Sequence, residues 1–309
     1  MRIQKQMMTH IPTFDVIIIG GSYAGLAAAM SLGRSLRNVL VIDSGLPCNR
    51  QTPHSHNFLT QDGKTPREIS ETSRAQVAQY RTVQFYDGLA TAGIKTENGF
   101  EIKASSGDTF YGRKLILATG IKDLMPDIKG FSECWGISVI HCPYCHGYEF
   151  RDKKTAIMAD AARATHLAPL VSNLTRDLSI IGLQGTAFDG PQFDKFKENN
   201  VQFIAATVKE IEHEAGYLHH VVTEDGSKYA FDAIYAGIPF VQQSEIPAFL
   251  GCEFTEQGHI KTDAFQKTSV HGVYACGDNT SAMRSVANAV AAGSLTGAMV
   301  NRDLAEELF

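Results

Sequence analysis

A buried strand that runs into a glycine turn and then a helix leaves a chain few ways to fold. Phe14-Asp15-Val16-Ile17-Ile18-Ile19 is the kind of apolar run that a sheet covers on both faces. Gly20-Gly21-Ser22-Tyr23-Ala24-Gly25 follows, and residues 26–36, rich in Ala and Leu, favour a helix. In that setting a Gly-x-Gly-x-x-Gly-like stretch reads as a dinucleotide loop rather than a chance match. Gly20 permits the tight turn and Gly25 permits close packing of helix on strand, while Ser22 stands where the motif has its middle glycine. The helix N-terminus then offers N–H groups and a positive dipole end to a pyrophosphate. Val39-Leu40-Val41-Ile42-Asp43 is the next strand, and Asp43 lies at the ~20-residue distance at which an acid binds the ribose of an adenine dinucleotide. The plainer alternative is a glycine turn of any α/β protein.

The alternation of strand, turn and helix continues. Asn98-Gly99 and Ser106-Gly107-Asp108 punctuate alternating segments between Ala90 and Tyr111, which reads as a β-meander. Lys114-Leu115-Ile116-Leu117-Ala118-Thr119-Gly120 is a second buried strand ending in a small-residue turn. The pattern then repeats: strand 153–159, helix 161–174, strand 178–181, a meander punctuated by Ala215-Gly216 and Asp225-Gly226, and strand 231–236 ending in Gly237. Gly272-Val273-Tyr274-Ala275-Cys276-Gly277-Asp278 is a further strand, followed by an Ala-rich helix over 283–300.

With 309 residues the chain has room for two domains. Lys and Arg number 28 against 33 Asp and Glu, a net charge of −5 without a basic block, which argues against a nucleic-acid partner. Gly or charge interrupts every apolar run well short of the ~20 residues of a membrane span. Residues 1–13 are polar and carry no secretory signal, so a cytoplasmic location is expected. Structural disulfides are rare there, and Cys48, Cys134, Cys252 and Cys276 read as small buried side chains.

Two cysteines have functional spacing. His141-Cys142-Pro143-Tyr144-Cys145-His146-Gly147-Tyr148-Glu149 sets two thiols in Cys-x-x-Cys order with a His on each side. Such a pair closes into a small disulfide ring, and a neighbouring His+ or helix N-terminus favours the reactive thiolate. Three other readings compete. Cys142-x-x-Cys145-His146 matches a c-type haem attachment pattern, which normally requires export. A zinc site needs about four ligands, and no second Cys-x-x-Cys or His-x(3–5)-His completes one. The third is a pair of inert buried thiols.

The order and spacing of Gly20–Gly25 with Asp43, the Ala118-Thr119-Gly120 turn, Cys142-x-x-Cys145 and Gly277-Asp278 resemble the low-molecular-weight thioredoxin reductases over nearly the whole chain. These are FAD-dependent disulfide oxidoreductases. The resemblance implies an α/β protein of two dinucleotide-binding, Rossmann-like domains, each a three-layer ββα stack, the second inserted into the first. The FAD domain would comprise residues 1–120 and 241–309, and the inserted domain, carrying the redox pair, residues 121–240. It also implies a homodimer. By the same resemblance Gly20, Ser22, Tyr23, Ala24, Gly25 and Asp43 would hold the ADP part of FAD, with Thr119 and Gly120 beside the cofactor. Asn57 would lie near the isoalloxazine ring, and Gly277-Asp278 by the ribityl or phosphate part. Ser285 and Val286 would meet the pyrimidine end of the flavin at a helix N-terminus, whose dipole favours the anionic reduced ring. Cys145 would face the flavin and Cys142 the external substrate. His54 and His56 read as satisfied loop histidines.

The inserted domain departs from the family pattern. After strand 153–159 the chain runs Asp160-Ala161-Ala162-Arg163-Ala164, and no glycine occurs between Gly147 and Gly182. A Cβ then fills the space a pyrophosphate needs, and Asp160 adds a negative charge. NADPH-dependent members carry a His-Arg-Arg cluster after the next strand, where this chain has Gly182-Leu183-Gln184-Gly185. The domain is therefore expected to keep its fold without binding NADPH. Relatives of that kind include ferredoxin-dependent enzymes and the gliotoxin- and holomycin-type dithiol oxidases, which carry a similar Cys-x-x-Cys-His-Gly-Tyr-Glu stretch. The NADPH-dependent reductases have Asp where this chain has His146.

The expectation is an FAD-dependent thiol–disulfide oxidoreductase working through Cys142 and Cys145 on a thioredoxin-like protein or a small dithiol, with ferredoxin or oxygen as possible redox partner. His146 is the leading acid/base, since an imidazole with pKa near ~6.5 exchanges protons with a thiol in both directions, and His141 is the second candidate. Two alternatives stand: an NADPH-dependent thioredoxin reductase with an atypical nucleotide loop, and a non-catalytic flavin redox sensor.

Overall fold

A computed structural model describes residues 14–182 and 188–309. In chain order the first segment holds β1 (Phe14–Ile19), α1 (Tyr23–Arg34), β2 (Val39–Asp43), α2 (Pro66–Val77), β3 (Val83–Asp87), β4 (Ala90–Thr96), β5 (Gly99–Ala104) and β6 (Thr109–Leu117). The middle segment holds β7 (Ile121–Asp123), α3 (Phe131–Cys134), β8 (Val139–Ile140), α4 (Pro143–His146), β9 (Thr155–Ala159), α5 (Ala161–Ser172) and β10 (Leu178–Gly182). It continues with α6 (Gly190–Glu198), β11 (Gln202–Ile204), β12 (Val208–Glu214), β13 (Tyr217–Thr223), β14 (Lys228–Ala230) and β15 (Ala233–Ala236). The last segment adds β16 (Phe240–Gln242), α7 (Ile246–Phe249), β17 (Val273–Ala275) and α8 (Val286–Leu308).

The chain forms two compact units. One comprises Met1–Cys48, Arg67–Lys122 and Val241–Phe309, the other Asn49–Pro66 and Asp123–Phe240. The division differs from that expected at 120 and 240 chiefly in the segment Asn49–Pro66, which groups with the inserted unit. Its attachments explain this: Gln51 donates to the Ser132 carbonyl, Thr52 lies against Gly136, and His56 faces Glu149. None of these contacts is legible from local pattern.

In the first unit β3-β2-β1-β6 run parallel, β17 joins β6, and β5 and β4 complete the sheet antiparallel. Along β1, Ile17 and Ile19 enter a core with Leu40, Ile42, Leu115, Leu117, Phe100 and Ile102, which Phe14 joins from the first position of the strand. α1 and α8 cross closely because α8 carries glycine there: a Cβ on Gly293 would lie 2.0 Å from the Ala24 carbonyl oxygen.

The second unit repeats the scheme with the parallel order β11-β10-β9-β15-β8 and a separate antiparallel meander, β12-β13-β14. Strand alternation again builds three layers. Ala156, Met158, Ile181 and Ile234 face the meander through Ile211, Leu218 and Val221. Ile157, Ala159, Ile180 and Tyr235 face α5 and α6 through Ala164, Leu167, Val171 and Phe196. No helix among the described residues is long and apolar enough to cross a membrane.

Candidate functional site

The first unit places Gly20, Ser22, Tyr23, Ala24, Gly25, Asp43, Thr119, Gly120, Gly277, Asp278, Ser285 and Val286 together in one compact body. Parallel pairing brings the C-terminal ends of β1, β2 and β6 to one edge, where the Gly20–Gly25 turn begins. Gly20 has φ +104°, and a Cβ there would lie 2.2 Å from the Ala118 carbonyl oxygen, so the two turns touch only because the residue is glycine. Asp43 ends β2 and accepts a hydrogen bond from the Gly21 N–H at 3.0 Å. One carboxylate oxygen thus holds the loop, and the second is available to a hydroxyl. Ser22 is the N-cap of α1 but makes no side-chain capping bond. At Gly120 an added Cβ would meet nothing within 4 Å.

These features fit FAD. A glycine loop reaches a helix start that its own cap leaves unsealed, an acid lies at the ribose distance, and space opens above the turn at Gly120. Ser285 caps α8 by accepting from the Asn288 N–H at 3.1 Å, and Asp278 pairs with Arg284 at 3.7 Å. Sequence reasoning missed Asn279. Its side-chain amide is fully buried and donates to the Leu117 carbonyl at 2.8 Å and the Thr119 hydroxyl at 3.3 Å, holding the Thr119-Gly120 turn. Asn57 lies in the other unit, with φ +58°, and its N–H donates to Asp62 at 2.8 Å.

In the second unit Cys142 and Cys145 are joined as a disulfide, with Cα atoms 5.3 Å apart. Cys142 is the N-cap of α4 and Pro143 fills its first turn, where a missing N–H costs nothing. Gly147 closes the turn by donating to the Pro143 carbonyl, and a Cβ there would sit 2.3 Å from that oxygen and 2.5 Å from Leu174. The glycine after His146 is thus a packing requirement of the redox turn. His146 is half-buried. Burial pushes its imidazole below the ordinary value, Glu149 pulls it up, and His56 pushes it down. His141 follows β8, its ring centre 6.5 Å from that of Trp135.

The strand ends and helix start of the second unit carry other residues. Asp160 caps α5 by accepting from the Arg163 N–H at 2.8 Å, so the helix start is sealed by its own carboxylate. A Cβ on Gly237, the residue after β15, would lie 2.2 Å from Arg163 Cδ and 3.0 Å from Ala159 Cβ. The Arg163 stem crosses the strand end. Of the stretch that replaces the His-Arg-Arg cluster, Leu183, Gln184 and Gly185 lie outside the described residues.

Residues 14–293 match the model of the pyridine nucleotide-disulphide oxidoreductase family. A thioredoxin reductase, tcpT, of Claviceps purpurea is 33% identical over 305 residues, covering 95% of each chain. Among solved structures, an oxidoreductase from Agrobacterium tumefaciens has 35% identity and TM-score 0.89, over 95% of this chain and 99% of its own. A putative thioredoxin reductase TrxB from Bacillus anthracis has 29% identity and TM-score 0.92, over 96% and 100%.

Proposed function

The chain belongs to the pyridine nucleotide-disulphide oxidoreductase family and is a thioredoxin reductase-like flavoenzyme, and from that premise we propose that it exchanges electrons between FAD and a dithiol or disulfide substrate through Cys142 and Cys145 without using NADPH. The contrast between the two helix starts carries this reading. Ser22 begins α1 without a side-chain capping bond, whereas the start of α5 packs the Arg163 side chain against Gly237 at the end of β15. Asp160 reinforces the difference by occupying the α5 N–H that a phosphate would need.

FAD, when bound, supplies the two-electron store that the cysteine pair empties or fills. The Gly20–Gly25 loop with Asp43 would hold its ADP part, Thr119 and Gly120 would pack beside it, and Gly277, Asp278, Ser285 and Val286 would line its far end. Exchange with substrate is the work of the pair itself. Written in the oxidising direction, a substrate thiolate attacks Cys142, a new S–S bond forms, and Cys145 leaves with the electron pair. The second substrate sulfur then closes the substrate disulfide and releases Cys142. Two electrons and two protons have passed to the protein sulfurs. His146 holds the thiol proton between the two attacks, and its lowered basicity keeps it a neutral acceptor to a more acidic pH than a free imidazole. The reverse sequence reduces a disulfide. A thioredoxin-like protein and a small dithiol are both suited to the pair, with ferredoxin or oxygen as the other redox partner and a homodimer as the assembly.

The test is an anaerobic flavin spectrum, with NADPH added in steps and dithiothreitol afterwards. The flavin band is expected to survive NADPH and to bleach with the dithiol. Saturable bleaching at micromolar NADPH would overturn the reading.

A further inference from the structure

His56 is a loop histidine that stands between two carboxylates. Its Nδ1 lies 3.6 Å from Asp62 Oδ1 and its Nε2 3.6 Å from Glu149 Oε1. The loop that carries it is closed by backbone bonds, Ser55 N–H to the Lys64 carbonyl at 2.8 Å and Gly63 N–H to the Ser55 carbonyl at 2.9 Å. Asp62 is oriented in turn by the Asn57 N–H. The second carboxylate belongs to the redox segment. Glu149 sits in the 3-10 turn Tyr148–Phe150, three residues beyond His146 and four beyond Cys145. His54 plays a different part: its Nδ1 lies 2.9 Å from the Gly63 carbonyl, which fits the plain reading of a satisfied loop histidine.

We infer that Glu149 and His56 are positioning residues for thiol–disulfide exchange, an electrostatic relay in which Asp62 and Glu149 flank His56 and Glu149 belongs to the redox turn that carries His146. The inference rests on His146 as the proton holder at the cysteine pair. A proton accepted by His146 then has a counter-charge in Glu149, while no bond to sulfur changes. The balance is simple: one proton leaves a substrate thiol, resides on His146, and returns to a cysteine sulfur.

Other charged or titratable groups near this set have defined places. Tyr235, beneath the turn on β15, is pushed up to about 12 by burial and by Glu149, so it stays neutral throughout the working range. Arg151 lies over the Tyr148 ring, 4.1 Å from its centre, and donates to the Tyr148 carbonyl. His141 lies near Trp135. The two neighbours act on His146 in opposite senses, Glu149 favouring its charged form and His56 opposing it.

That opposition is the test. Glu149→Gln, His56→Gln and His146→Ala are made in the full-length flavoprotein. His146 is followed by imidazole nitrogen NMR over about pH 5 to 9, and Cys142 by its alkylation rate with iodoacetamide after dithiothreitol reduction. Glu149→Gln is expected to move the His146 midpoint to lower pH by roughly half a unit to one unit, and His56→Gln to higher pH by a similar amount. The inflection in alkylation should move with it. A residue that only props the fold would not give shifts of opposite sign. Unmoved midpoints, or two shifts in the same direction, overturn the relay. His146→Ala tests the underlying reading separately. If it leaves the pH dependence of exchange unchanged, the proton-holder assignment fails, and the relay fails with it. If it removes the inflection while the other two variants do not move it, only the relay fails.

Discussion

Asp43→Ala should loosen FAD without unfolding the chain. Asp43 is half-buried at the end of β2, and its Oδ1 receives the Gly21 N–H at 3.0 Å. A hydrogen bond to a charged group is worth about 1.5–3 kcal/mol. At 1.4 kcal/mol per tenfold, its loss weakens FAD binding by about 10- to 150-fold if the bond serves mainly to hold the loop in its binding shape. Asp43→Asn keeps an acceptor of the same size without the charge, so its loss should be nearer the ~1 kcal/mol of a neutral bond, a few-fold. The assay is retitration of flavin-stripped protein with FAD, read by the quenching of flavin fluorescence, beside a thermal melt of each apo-variant. The expected order of affinity is Asp, then Asn, then Ala. An Ala variant that binds FAD as tightly as the parent, with an unchanged melt, would refute the assignment of this carboxylate to the cofactor loop.

Thiol counting separates the redox pair from the other cysteines. Burial raises Cys134 to about 11 and Cys276 to about 12, and raises Cys252 as well, so all three should resist alkylation at neutral pH. The exposed Cys48 is then expected to react in the oxidised protein, joined by Cys142 and Cys145 after reduction, and mass-mapped alkylation of the native protein in both states checks this. Tyr235→Phe removes a fully buried hydroxyl that has no hydrogen-bond partner among the described residues. Stability in denaturant titration should be unchanged or rise by up to about 1 kcal/mol, and a large loss would reveal a partner for that hydroxyl.

The strands were legible because β1, β2, β9, β15 and the Leu115–Leu117 end of β6 are covered on both faces and so read as nearly continuous apolar runs. Helix limits were less so. α1 begins at Tyr23, inside the glycine turn, because the last loop residues already form its first turn. α2 escaped notice since Pro66–Val77 is mostly polar and buries little beyond Ile69 and Val77. Within the sites, residue types and spacing pointed to the glycine loop, Asp43 and the cysteine pair, which are local in sequence. Asn279, Arg163 and His56 act across folds of the chain: Asn279 reaches back 162 residues to Leu117, and His56 meets Glu149 through a loop with no periodic pattern. Only Asp160-x-x-Arg163 carried a local hint, a capping residue just before an Ala-rich helix.

The two units show how one backbone scheme leaves a helix end uncapped in one place and capped by a carboxylate in the other. A helix N-terminus presents unsatisfied N–H groups and a partial positive charge, and something negative must answer it. In the first unit the N-cap is Ser22, without a capping bond, and Asp43 spends its hydrogen bond on the loop rather than the helix. The helix end therefore still favours an external anion. In the second unit Asp160 answers from within, as an N-cap worth about 1 kcal/mol to the fold. A phosphate brought to that end would have to displace this carboxylate and meet its charge, at a cost of order 1–4 kcal/mol at about 4 Å. It would also have to move the Arg163 stem from Gly237. The barriers are separate, one electrostatic and one steric. Removal of either alone leaves the other in place, so the second unit can retain every strand of a nucleotide fold while serving as the mount for Cys142 and Cys145.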